Sequence, residues 1–204
     1  RADPYRIPSI AGDSPFEVSS ETWRGAVVGI SMSVMMVTDE QIRDFEKHPD
    51  RADDLCNRLI PYGDEDACCR LFGWWRSIHD VLTEGRDASD LPFCVLHRGE
   101  VTFNPVSDPT WAIYSPTAKA LAEALQPLSE SQLRELCASQ GERYKLEIER
   151  AKERGATAYQ GVDPDALWVS HFRELMQYVF NFRDFAVEAA RRHRGLLFCR
   201  YEDW

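Results

Sequence analysis

The sequence predicts an α+β domain: a small mixed or antiparallel sheet packed by several helices, with one long helix placed before the last strand. Three observations carry this. Trp168, Phe172, Leu175, Val179, Phe182, Ala186 and Ala189 recur at alternating spacings of four and three, the period of one helix face. Short apolar runs over residues 30–37, 91–96, 111–114 and 196–201 have strand length and composition. The resulting order, strand, helices, short strands, helices, long helix, strand, lacks the regular alternation of a doubly wound sheet.

Size and composition suit a single globular domain, with 204 residues of which 44% are hydrophobic and 28% charged. Residues 1–28 stand apart: Pro4, Pro8 and Pro15 lie among scattered polar residues with no helical or strand period. They are expected to form an irregular extension, and residues 29–204 the domain. The most apolar N-terminal stretch, residues 25–37, is short and has no signal-peptide layout before it, and no run approaches the roughly 20 apolar residues that span a bilayer. A cytoplasmic location, with no membrane contact, is therefore expected. All six cysteines (Cys56, Cys68, Cys69, Cys94, Cys137 and Cys199) are expected to be reduced, because a chain this rich in core residues needs no stapling. Cys94 and Cys199 sit in apolar, strand-like runs where a thiol packs as a small hydrophobe.

Along the chain, residues 30–37 form the first strand and end at Thr38, which with Gln41 makes a capping box for a helix bearing Ile42 and Phe45. Pro49 stops that helix. Asp50 can cap a second one carrying Leu55, Leu59 and Ile60, which closes at the turn Pro61-Tyr62-Gly63-Asp64. Leu71, Trp75, Ile78 and Leu82 share one face of a helix over residues 71–82. The run at 91–96 and residues 101–103 suggest a hairpin around Arg98-Gly99. A third strand candidate at 111–114 precedes Ser115-Pro116, an N-cap followed by Pro at the first position, which opens a helix with Leu121, Ala122 and Leu125 inside. Ser129 and Gln132 form a second capping box, for a helix with Leu133 and Leu136, and residues 142–154 read as a separate charged, solvated helix. Asp163-Pro164 starts the long helix, Arg191, Arg192 and His193 complement its C-terminal dipole, and Gly195 terminates it before the final strand.

Several of these segments carry a family resemblance. Ser31-Met32-Ser33, the helix Trp75-Arg76-Ser77-Ile78-His79-Asp80-Val81-Leu82-Thr83, Gly99-Glu100, Tyr114-Ser115-Pro116, and Phe182, Phe185, Ala189 and Ala190 of the last helix are similar to the YfbM-like family of uncharacterised bacterial proteins. The most specific piece is Trp75-x-x-Ile78-His79 ending in Leu82-Thr83. The chain departs from the family at Arg98-Gly99, where Gly-Gly is usual, and at Ala158-Tyr159-Gln160, where the family has Ile-Tyr-Pro. The resemblance implies an α+β fold from about residue 29 to the C-terminus and brings no activity, catalytic residue or cofactor with it.

No nucleotide-binding, P-loop, serine-hydrolase or zincin signature is present, and adjacent Cys68-Cys69 lacks the spacing of a thiolate metal pair, so neither metal nor cofactor is expected. Net charge of −10 opposes nucleic-acid binding and suits a basic protein partner. Trp75 and His79 lie one helical turn apart. They are either an aromatic wall beside a titratable imidazole, with His79 the candidate catalytic group, or a core Trp and a histidine bonded to a backbone carbonyl. Glu100, in a tight turn, and Tyr114, at a strand end, are the other candidate binding residues. The favoured expectation is a non-enzymatic interaction protein, immunity- or antitoxin-like, that binds a basic protein. The alternative is a small hydrolase or transferase with a pocket around Trp75 and His79. A homodimer through the long helix or the N-terminal extension is compatible with both.

Overall fold

Alternate residues of Ile30–Val37 (β1) are buried on two sides, Met32 and Val34 in one apolar cluster, Met35 and Val37 in another. A strand buried on both faces belongs inside a covered sheet. In the computed structural model, which describes residues 30–62, 68–83, 93–103 and 110–202, β1 lies between two partners. One is Cys68–Phe72 (β2); the other is Gly195–Glu202 (β5), the last strand of the chain. Val101–Phe103 (β3) and Thr110–Ile113 (β4) complete the order β2-β1-β5-β4-β3, with every neighbouring pair antiparallel. The expectations placed on residues 1–28 lie outside the described residues.

Helices cover both faces. Asp39–Lys47 (α1) and Asp50–Tyr62 (α2) bury Ile42, Phe45, Ala52 and Cys56 against Met35, Val37, Leu197 and Cys199. On the other face, Trp75–Thr83 (α3), Ser115–Leu125 (α4), Glu130–Glu153 (α5) and Pro164–Arg191 (α6) enclose Met32, Val34, Trp111, Leu196 and Phe198. Both predicted capping boxes form: Thr38 and Gln41 bond each other's backbone N–H groups at the start of α1, as do Ser129 and Gln132 at α5. Each side-chain cap is worth about 1 kcal/mol. The 28 residues of α6 extend about 42 Å, with Leu175, Val179, Phe182, Ala186 and Ala189 along the buried stripe.

The end of α6 differs in detail from expectation. His193 takes the left-handed conformation (φ 53°), and the N–H groups of His193 and Arg194 bond the carbonyls of Ala190 and Ala189, a Schellman closure. Gly195 serves a different purpose, because a Cβ there would lie 2.5 Å from the Ile113 carbonyl oxygen. It lets β5 approach β4 at the point where the chain leaves the helix.

Five local expectations are corrected. Leu71 belongs to β2 rather than to the following helix: pairing with β1 claims residues 68–72, Phe72 turns out at φ 45°, and α3 starts at Trp75. The described part of the run expected as a strand, Phe93–Leu96, is a 3₁₀ turn whose Val95 carbonyl accepts the Trp111 indole N–H at 2.7 Å; the hairpin is β3 with β4. Ser115 is the first residue of α4 and Tyr114 its N-cap. The two helices expected over 133–154 are one, because Gly141 continues the helix while leaving room for Trp168, whose indole nitrogen would be 2.8 Å from a Cβ there. Finally, the cysteines are not all reduced.

Cys56 and Cys199 form a disulfide between α2 and β5, while Cys68, Cys69, Cys94 and Cys137 are free and buried. The bond joins the inward face of a helix to a central strand across 143 residues of sequence, a proximity that no local spacing reveals. A cross-link closing so long a loop contributes about 2–5 kcal/mol. Intact-mass analysis after alkylation under denaturing, non-reducing conditions is expected to show two alkylated thiols fewer than the six cysteines, and Cys56→Ser is expected to lower unfolding stability by about 2–5 kcal/mol. Six alkylated thiols under those conditions would contradict the assignment.

Candidate functional site

The turn between β2 and α3 places Trp74 N–H on the Leu71 carbonyl and starts α3 directly against the sheet. The buried face of α3 includes Trp75 (3% exposed), Ile78 and His79 (7% exposed). His97, which follows the 3₁₀ turn, brings its ring centroid to 3.9 Å from His79 and 5.3 Å from Trp75. Two guanidinium groups flank the same indole: Arg76 at 5.1 Å and Arg200, from β5, at 5.4 Å from the ring centroid. Cation–π contacts of this kind contribute about 0.5–2 kcal/mol, more where water is excluded.

Burial, with a smaller contribution from His97, lowers the His79 pKa to about 4. Burial also lowers His97; Asp80 opposes that shift, while the charges of Arg76 and Arg200 reinforce it. His79 is therefore a neutral imidazole at pH 7, well below the range where one group both takes and returns protons efficiently. Asp80, the nearby carboxylate, pairs with Arg143 at 2.9 Å.

Glu100 and Tyr114 are brought together elsewhere. Gly99 permits the approach, since a Cβ would lie 2.3 Å from the Ala112 carbonyl oxygen, which accepts the Glu100 N–H at 2.9 Å. The Glu100 carboxylate accepts the Tyr114 N–H at 2.5 Å, and the Tyr114 hydroxyl donates to Glu46 at 2.9 Å. Asp39 accepts both the N–H and the hydroxyl of Ser115 at 2.8 Å. Tyr114 as N-cap makes no side-chain cap bond, so these carboxylates supply the acceptors and the negative charge that the start of α4 needs. Burial, then the Glu46 hydrogen bond, raises the Tyr114 pKa. Tyr114 packs against the cluster under α1 and α2, whereas Trp75 belongs to the opposite one. The four residues singled out from sequence thus form two separate pairs.

Cys68 and Cys69 alternate across β2 into the two different clusters and cannot face one ion together. Burial pushes the Cys69 thiol up to about 12 and raises Cys68 as well. Among the described residues, no three His, Cys, Asp or Glu side chains gather as a metal site requires. A second aromatic group lies between α5 and α6, where Tyr144 hydrogen-bonds His171 and stands beside Trp168, with Trp74 edge-on to His171.

His97, Arg76 and Arg200 were not singled out in the sequence. Arg200 was accessible there, because Leu196, Phe198 and Arg200 alternate onto one face of the last strand. His97 was not, because only the fold of the 3₁₀ turn carries it to α3.

Comparison with protein-family profiles and with curated proteins gives no match. Among solved structures, the fold is similar to that of YfbM, a protein of unknown function from Escherichia coli, with a TM-score of 0.55 and 14% identity over 84% of this chain and 99% of that one. The likeness establishes a YfbM-like fold. No helix among the described residues is long and apolar enough to cross a membrane.

The lowered His79 pKa gives a signed pH dependence. A histidine whose folded pKa lies below its unfolded value of about 6.5 stabilises the fold above that value and loses the contribution as pH falls. NMR titration is expected to place the His79 midpoint near 4, with stability falling by up to about 3 kcal/mol between pH 6.5 and 4 in wild type and by clearly less in His79→Phe. A midpoint above 6 would contradict the buried neutral assignment.

Proposed function

We propose that the chain is a non-enzymatic interaction protein, immunity- or antitoxin-like, that binds a basic protein partner. The convergence of Asp39, Glu46 and Glu100 from α1 and the β3 turn around Tyr114 and Ser115 carries this reading. Those carboxylates are held in place by the fold, and Glu40 on α1 and Asp54 on α2 add exposed negative charge to the helices on that side of the sheet. With a net charge of −10, the chain would draw a cationic surface toward this face and orient it there. The low pKa and burial of His79 favour binding over the hydrolase or transferase alternative at Trp75 and His79.

Affinity capture from the native host, comparing wild type with Glu40→Lys/Glu46→Lys, tests the proposal. A stoichiometric basic partner is expected with wild type, weakened at least tenfold by the double variant and by raising salt from 50 to 300 mM. Circular dichroism confirms that the variant is folded. Recovery of no stoichiometric partner, or of one bound equally by both proteins, would overturn it.

A further inference from the structure

Most arginines with a described partner sit on carboxylates: Arg51 on Asp44, Arg134 on Glu130, Arg191 and Arg192 on Glu188. Arg76 and Arg200 do not. Among the described residues neither has a carboxylate partner, yet both lie over Trp75, and both are near enough to His97 for their charge to act on it. The Nε of Arg200 and the Nδ1 of His79 are buried with no hydrogen-bond partner. His79 is itself 7% exposed and meets His97 at 3.9 Å. Leaving such groups unpaired is destabilising, more so for a charged one. Among the described residues, the carboxylate that acts on His97 is Asp80, which is already matched by Arg143. Among the described residues the cluster therefore holds two guanidinium groups with no carboxylate partner, buried nitrogens with no hydrogen-bond partner and the exposed His97 imidazole, in a chain that is acidic overall.

We propose that Arg76, Arg200, His97 and His79 surround a binding site for a phosphate-bearing small molecule. Two guanidinium forks match the double charge and tetrahedral oxygens of a phosphate better than a single carboxylate, which one fork would satisfy. His97, exposed beside them, supplies a further N–H donor, and the Trp75 ring centroid lies 5.1 and 5.4 Å from the two guanidinium carbons. The site lies on the face of the sheet opposite Tyr114 and so is separate from the proposed protein-binding surface.

Titration of the full chain with inorganic phosphate, and with acetate at matched ionic strength, tests this by NMR of the Arg Nε–Hε and histidine ring resonances. Phosphate is expected to shift the Arg200 and His97 signals saturably at millimolar concentration, with acetate at least tenfold weaker. Arg76→Gln and Arg200→Gln are each expected to weaken phosphate binding at least tenfold, and Arg134→Gln to leave it unchanged. If Arg200→Gln does not fold, Arg76→Gln, altered on an exposed side chain, decides alone. Non-saturating shifts, equal response to acetate, or unchanged binding in Arg76→Gln would overturn the proposal.

Discussion

The eight residues of β1 lie antiparallel to the eight of β5, from Ile30 opposite Glu202 to Val37 opposite Gly195, and everything else in the domain hangs on that ladder. It joins the first described element to the last, so the intervening helices and strands must close on themselves. Because both strands are central, each sends alternate side chains to opposite cores: Met32, Val34, Leu196 and Phe198 one way, Met35, Val37, Leu197 and Cys199 the other. The long reach of α6 returns the chain to the correct end of β1, and the His193 closure with Gly195 directs it straight into the ladder.

The same two-sidedness governs the chemistry. Arg200 follows Phe198 on the α3 side and comes to rest over Trp75, while Cys199 points to α2 and is bonded to Cys56. Tyr114 ends β4 on the other side, where the carboxylates of α1 and Glu100 gather. Asp39, Glu46 and Glu100 therefore gather at the start of α4, and Arg76 and Arg200 at Trp75, with the five-stranded sheet between the two groups.

Much of the scaffold was legible because its signals are local. The capping boxes at Thr38 and Ser129 and the 4-3 stripe of α6 are fixed by neighbours within a turn or two, and all three form. Features decided by distant partners were not legible. Cys68–Phe72 becomes a strand only because β1 offers an edge, Phe93–Leu96 tightens into a 3₁₀ turn under Trp111, and the disulfide depends on α2 lying over β5. For the site, the neighbouring of Trp75 and His79 followed from helical spacing, whereas the arrival of His97 depended on tertiary contacts. Glu100 and Tyr114 were noticed for their turn and strand-end positions, and their direct hydrogen bond needed the Gly99 approach to Ala112.

If the β1–β5 ladder is the constraint on which the fold depends, its amides open only when the whole molecule unfolds. Native-state hydrogen exchange measured residue by residue tests this directly. Interior amides of β1 and β5 are expected to share the largest opening free energy in the protein, equal to the global unfolding value, with β3 and the outer side of β2 exchanging faster. Opening of β5 at a free energy no greater than that of β3, while α5 and α6 stay protected, would contradict the account.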